Sequence, residues 1–123
     1  MKIKISSGNI WAFAELRDTE TAKAIYGSLP IMGSANTWGE EIYFEIPVDL
    51  EAEGDAKDVV ARGDVAYWPQ GKCFCIFFGK TPASQGDEPR AASKVNVFGK
   101  VIGDYNIFKK VKDGDEVVII RAD

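Results

Sequence analysis

Apolar and polar residues alternate along several short segments of the chain, and this period of two predicts β-strands. In Lys2–Ser6 the alternation places Ile3 and Ile5 on one face, and a Ser-Gly-Asn turn leads into a second strand, Ile10–Leu16. The further segments that we interpret as strands are Glu41–Val48, Val65–Trp68, Cys73–Phe78, Val95–Ile102 and Glu116–Arg121. Many short strands joined by tight turns favour an antiparallel sheet.

One segment shows the period of an α-helix instead. Its apolar residues follow the i, i+3, i+4, i+7 spacing of an amphipathic helix, at Ala22, Ile25, Tyr26 and Leu29. Asp18 or Thr19 can cap its N-terminus, Pro30 ends it, and a short helical turn is predicted at Asp104–Lys110. We therefore predict one mainly β domain over residues 1–123, a closed antiparallel barrel of about eight strands with the helix over one open end.

Composition excludes several functional classes. The chain contains no histidine, which removes Ser-His-Asp and Cys-His catalysis and histidine-based zinc sites. A net charge of −4 without a basic cluster argues against nucleic-acid binding. No apolar run approaches the roughly 18 residues of a membrane span, and Met1–Ile5 shows no export signal. We expect a cytoplasmic protein with neither nucleic acid nor membrane among its partners.

The two cysteines, Cys73 and Cys75, fall on the same face of a predicted strand that is apolar on both faces. A zinc site would need two further ligands, and a redox pair normally has two residues between its cysteines. We interpret both thiols as core residues, and we predict no metal site and no cofactor.

Aromatic side chains near predicted strand ends are the main candidates for a site. Trp38 lies in a loop-like segment, and Tyr67 and Trp68 end a strand. Large rings at such places commonly line pockets, although they can equally close the end of a barrel. Lys80–Lys94, rich in proline, glycine and serine, is predicted to be a loop of fifteen residues, a length that is often functional.

The polar face of Glu41–Val48 carries two acidic residues, Glu41 and Glu45, on either side of Tyr43. Exposed glutamates on a half-buried strand are ordinarily solvated, so a pair of catalytic carboxylates is the less favoured interpretation. Tyr43 between them keeps a binding face open as an alternative.

Several motifs resemble those of a known family. The Val-Phe-Gly-Lys-Val segment at 97–101 is similar to a strand near the end of the cyclophilins, the peptidyl-prolyl isomerases. The chain more closely resembles a small cyclophilin-like family of bacterial and archaeal proteins, largely without assigned function. The segments that carry this resemblance are Ala35–Gly39, Glu41–Phe44, Gly63–Asp64, Ala66–Pro69, Phe74–Gly79, Thr81–Pro82 and Pro89–Ala91. The resemblance implies an eight-stranded cyclophilin-like barrel.

The isomerase site of the cyclophilins is matched only in part. Phe78 resembles the phenylalanine that floors the proline pocket. Glu45 stands where the resemblance would place the catalytic arginine, and Val95 stands where it would place the pocket histidine. Arg90, in the predicted loop, is the candidate replacement for the arginine. We expect no efficient prolyl isomerase, because an ionised carboxylate only accepts hydrogen bonds.

These observations predict a binding module for a proline-containing peptide or a small apolar ligand. In this prediction an aromatic groove is floored by Phe78, with Phe74 and Ile76 on the same strand face. The predicted ligand-binding residues are Trp38, Glu41, Tyr43, Glu45, Tyr67, Trp68, Phe78 and Arg90. The alternatives are an isomerase that uses Arg90, and an assembly protein whose aromatic patch is buried against another subunit. The oligomeric state is left open.

Overall fold

Ten β-strands, one α-helix and one 3-10 helix make up the computed structural model, which describes residues 1–123. The strands are β1 (Lys2–Ser7), β2 (Ile10–Leu16), β3 (Ile31–Ser34), β4 (Asn36–Thr37), β5 (Glu41–Glu45), β6 (Lys57–Val59), β7 (Asp64–Trp68), β8 (Cys73–Phe77), β9 (Arg90–Ile102) and β10 (Glu116–Arg121). The helices are α1 (Glu20–Gly27) and a 3-10 helix at Tyr105–Lys110. The fold is therefore mainly β, as the alternating pattern predicts. Neither helix combines the length and hydrophobicity that crossing a membrane requires.

All the strands join one sheet, with neighbours paired antiparallel in the order β3-β10-β1-β2-β9-β7-β8-β5-β4, and β6 pairs with β9 beside this path. Hydrogen bonds do not close this sheet into a ring, so the predicted closed barrel is not confirmed in that detail. The two edge strands, β3 and β4, are nevertheless consecutive in the chain and are separated only by Ala35. The chain itself therefore connects the two edges of the sheet.

Gly33 shows how closely the edges approach each other. A Cβ atom placed on Gly33 of β3 would lie 3.0 Å from Cγ of Phe44 on β5, near the other edge of the sheet. A side chain at this position would displace the phenylalanine ring. The absence of a side chain at Gly33 therefore lets the sheet curl around its interior.

The sheet buries apolar side chains on both of its faces. The larger, interior cluster includes the stacked rings of Phe44 and Phe74, whose centroids are 5.4 Å apart. A second cluster lies on the opposite face and consists of Val60, Ala66, Cys73, Cys75, Phe77, Ala91, Val95 and Val97. Because successive side chains of a strand point to opposite faces, every residue of β8 is buried. The predicted double burial of this strand, including its two cysteines, is confirmed.

The predicted helix is also confirmed, with Thr19 as its N-cap: the Thr19 hydroxyl accepts a hydrogen bond from the N–H of Ala22 at 3.1 Å. Ala22 and Ile25 are buried in the interior cluster. The side chain of Asn96 on β9 donates to the Thr21 hydroxyl at 3.1 Å and accepts from the N–H of Glu53 at 2.8 Å. This network fixes the start of the helix and the acidic loop to β9.

The prediction of a fifteen-residue loop at Lys80–Lys94 is wrong. The strand β9 begins at Arg90, because its first residues pair with β6, in register Lys57 with Val95 and Val59 with Arg90. The sequence Ala-Ala-Ser in this part of β9 has little intrinsic preference for a strand, so pairing with β6 overrides local propensity.

Candidate functional site

A cavity of about 240 Å³ lies on the outer face of the sheet, the face that carries the second cluster. Its lining residues come from β5, β7, β9 and the turn before β5, and six of the seven are hydrophobic: Trp38, Glu41, Tyr43, Trp68, Ala91, Ala92 and Val95. Small-molecule sites typically have volumes of about 300–1,000 Å³. Because its volume is slightly below this range, the cavity has room for a compact ligand, or for one side chain of a larger ligand.

The register of three neighbouring strands brings the lining residues together. Tyr43 on β5 lies opposite Cys75 on β8, and Cys75 lies opposite Ala66 on β7. Glu41 and Trp68 are each two residues from these positions, so they project from the same face. The buried cysteine face of β8 thus forms the layer beneath the cavity.

Trp68 and Tyr43 are held in a fixed arrangement. The indole Nε1–H of Trp68 donates a hydrogen bond to Oγ of Ser93 at 2.6 Å, and Ser93 in turn donates to Gln70 Oε1 at 2.9 Å. The rings of Tyr43 and Trp68 meet edge to face, with centroids 6.4 Å apart and an angle of 81° between their planes. Since the indole N–H already has a partner, Trp68 presents mainly its apolar ring to the cavity.

Trp38 is positioned by the tight turn that leads into β5. Its backbone N–H donates to the carbonyl oxygen of Glu41 at 2.9 Å. The next residue, Gly39, has φ +62°, and a Cβ there would lie 2.8 Å from the carbonyl oxygen of Lys80. Both the left-handed backbone and the close approach require glycine at this position.

Glu41 is the charged residue of the cavity lining. Only 6% of its surface is exposed, and it takes part in no salt bridge. Removal of water from the carboxylate raises the pKa of Glu41 to about 7, and a hydrogen bond with the Cys75 thiol opposes the rise in part. At neutral pH the cavity thus contains a carboxyl group that can gain or lose a proton readily.

The structure does not bring every predicted site residue to this cavity. Tyr67 is fully buried in the interior cluster, where its hydroxyl donates to the carbonyl of Val48 and accepts from the N–H of Leu50 at 3.2 Å. Phe78 is also in the interior cluster and packs on Phe108, with centroids 6.4 Å apart. The floor predicted from Phe78, Phe74 and Ile76 is therefore part of the interior core.

Glu45 and Arg90 also lie outside the cavity lining. Glu45 is exposed, on the same face of β5 as Glu41. The Arg90 guanidinium is held by two carboxylates, with Nε 3.0 Å from Glu88 and Nη1 3.1 Å from Asp58. It therefore ties the segment before β9 to β6 and does not reach into the cavity.

Three lining residues were not identified from the sequence as ligand-binding: Ala91, Ala92 and Val95. The first two fall in the predicted loop, and Val95 begins a predicted strand, where it also takes the position of the absent histidine. The apolar residues at 91, 95 and 97 keep the period of two, and this pattern could have extended β9 toward its true start.

The acidic and thiol groups do not form a metal centre. No group of three or more Cys, Asp or Glu residues is arranged to hold a metal ion. The two thiols are buried, and desolvation, reinforced by the nearby Glu45 and Glu41 carboxylates, raises the pKa of Cys73 to about 11. Such a thiol remains protonated at neutral pH and is a poor nucleophile or ligand.

Comparison with known proteins places this architecture in a family. The model of the family described as Cyclophilin-like matches residues 1–120. The chain therefore belongs to the cyclophilin-like family, as its motifs indicated. Among solved structures it is similar to the hypothetical protein AF2241 from Archaeoglobus fulgidus, determined in solution, with 45% sequence identity and a TM-score of 0.83 over 99% of this chain and 95% of that one. No curated protein matches the chain.

Proposed function

We propose that this protein is a binding module whose ligand enters the cavity between Trp38, Tyr43 and Trp68. The observation that supports this proposal is an open apolar cavity with one buried carboxyl group in its wall. Binding sites typically combine mostly hydrophobic walls with a few polar groups that orient the ligand. The ligand is a small molecule, or the apolar group of a peptide, with proline as one candidate because aromatic grooves commonly bind it.

The positions of the charged residues favour binding over prolyl isomerisation. Catalysis of that reaction requires a preorganised donor aimed at the twisting amide. Arg90, the candidate donor, already donates to Glu88 and Asp58. The charged residue in the cavity wall is Glu41, whose carboxylate can only accept hydrogen bonds when ionised.

The proposal is tested by ligand detection combined with three tryptophan variants. Native mass spectrometry of freshly purified protein would look for a retained molecule. Saturation-transfer NMR would then screen amino-acid-sized fragments together with N-acetyl-alanyl-proline amide. We expect Trp38→Ala and Trp68→Ala each to weaken the affinity for the ligand by about tenfold or more. Trp11→Ala is the matched control, because Trp11 is 52% exposed and does not line the cavity.

Thermal melts of the same variants separate a binding role from a core role. A fully buried aromatic residue truncated to alanine typically costs about 3–5 kcal/mol, whereas Trp38 and Trp68 are both half-buried and should cost less. Unfolding of both cavity variants, or equal binding by all three, would overturn the proposal. A mass that rises with protein concentration while both indoles become shielded would instead support the assembly role.

A further inference from the structure

We propose that the ligand of this cavity carries an alkylated ammonium group, so that the site recognises a small organic cation. This inference rests on the proposed binding function and adds the chemical class of the ligand. Three aromatic rings and one buried carboxyl group surround a space of about 240 Å³. Aromatic rings that enclose a cation are a recurrent means of binding quaternary ammonium groups.

Trp68 offers ring surface more than a hydrogen bond. The N–H of Trp68 is already bonded to Ser93, and the edge-to-face contact with Tyr43 holds the two rings at a large angle to each other. The negative face of an aromatic ring attracts a cation, most strongly when the cation has lost its water. Methyl groups on the nitrogen need no hydrogen-bond acceptors, which suits walls completed by Ala91, Ala92 and Val95.

Glu41 supplies the charge complementarity. It lines the cavity, and only 6% of its surface is exposed to solvent. No lysine or arginine forms a salt bridge with it. A buried carboxylate without a counter-ion is unfavourable, and a cation bound beside it removes that penalty. A neutral ligand of the same shape would leave the Glu41 carboxylate without a counter-ion.

The test compares choline with 3,3-dimethylbutan-1-ol, in which carbon replaces the charged nitrogen and the shape is kept. We expect calorimetry at pH 8 to show choline binding at least about tenfold more tightly than the alcohol. Glu41→Gln should reduce this preference to the part that the aromatic rings contribute, and it should leave the weak affinity for the alcohol within about twofold. Glu45→Gln is the matched control, because Glu45 lies on the same face of β5 but is exposed and outside the cavity lining.

The pH dependence of choline binding provides a second readout that needs no variant. Choline keeps its charge at every pH, and the other ionisable side chains on this face of β5 and β8 are Tyr43, Glu45, Cys73 and Cys75. Both thiols have raised pKa values and stay protonated over this range. Binding should therefore strengthen by close to tenfold from pH 6 to pH 8 as Glu41 ionises, and at pH 7 it should release about half a proton.

The outcomes distinguish this inference from the proposed function. Equal affinity for choline and the alcohol would overturn the cation assignment, and a choline preference that Glu41→Gln leaves unchanged would overturn the role assigned to Glu41. Fragments that bind at Trp38 and Trp68 while choline does not would overturn it as well, and would leave the binding function intact. Failure of every fragment to bind would instead count against the proposed function itself.

Discussion

Glu41 is the side chain at which folding stability and the proposed binding function conflict. Its burial raises its pKa from 4.5 to about 7, which corresponds to roughly 3 kcal/mol in favour of the protonated form. At a pH between these two pKa values, Glu41 is ionised in the unfolded chain and protonated in the folded protein. Stability associated with Glu41 is therefore fully present below pH 4.5, falls as the pH rises to about 7, and is constant above it.

We expect Glu41→Gln to raise the free energy of unfolding at pH 8 by up to about 3 kcal/mol, because the amide removes the buried charge. At pH 4 the glutamate is protonated in both states, so the two proteins should have similar stabilities. The chain has no histidine, the residue that most often titrates between pH 5 and pH 8. Urea denaturation of both proteins at pH 4, 6 and 8 measures the difference. A variant that is less stable than the parent at pH 8 would contradict this account of Glu41.

Single residues also show where sequence reasoning reaches its limit. The alternation along β5 correctly places Glu41 and Tyr43 on the opposite face of the strand from Phe44, because side-chain direction follows from the period of two. The same rule applied to β7 would have excluded Tyr67, which neighbours Trp68 and must point to the opposite face. The burial of Glu41 depends on packing between strands and could not be predicted from the polar character of glutamate.

At the scale of elements, the segment before β9 is organised by Glu88. Its carboxylate accepts hydrogen bonds from the N–H groups of Gln85 and Gly86, at 3.0 and 2.8 Å, and from Arg90 at 3.0 Å. These donors, the backbone N–H groups foremost, lower the pKa of Glu88 to about 2. Arg90 thus stabilises a turn, and the position of its guanidinium is set by this structural role.

We expect Arg90→Ala to accelerate amide hydrogen exchange at Gln85 and Gly86, because the turn loses one of its anchors. The parent protein should not accelerate cis-trans exchange of an Xaa-Pro peptide, and the variant should behave in the same way. Arg17→Ala, which makes the same change of charge outside this turn, serves as the control. Efficient isomerisation by the parent that disappears in Arg90→Ala would return Arg90 to a catalytic role.

Elements were predictable where local pattern and tertiary packing agree. Thr19 and the apolar spacing from Ala22 to Ile25 predicted α1, and the pattern from Glu116 to Arg121 predicted β10 with its observed bounds. The start of β9 could not be predicted in this way, since it pairs with β6, a strand of three residues with little pattern of its own. That pairing moves Ala91 and Ala92 from a presumed loop to the wall of the cavity.

At the scale of the whole molecule, the sheet separates a structural face from a candidate binding face. The interior cluster holds the core, whereas the smaller cluster on the other face leaves a cavity between aromatic residues. Two of the three tryptophans line this cavity, and Trp11 is exposed elsewhere on the sheet. The third tryptophan therefore provides an internal reference for measurements of binding at this cavity.

The most direct test of the binding site uses the three indole N–H resonances of ¹⁵N-labelled protein, assigned with single tryptophan-to-phenylalanine variants. The protein would be titrated with the tightest-binding compound found by the fragment screen. We predict that the resonances of Trp38 and Trp68 shift along one common binding curve while that of Trp11 does not move. A shift of Trp11 alone, or equal shifts of all three resonances, would contradict binding at this cavity.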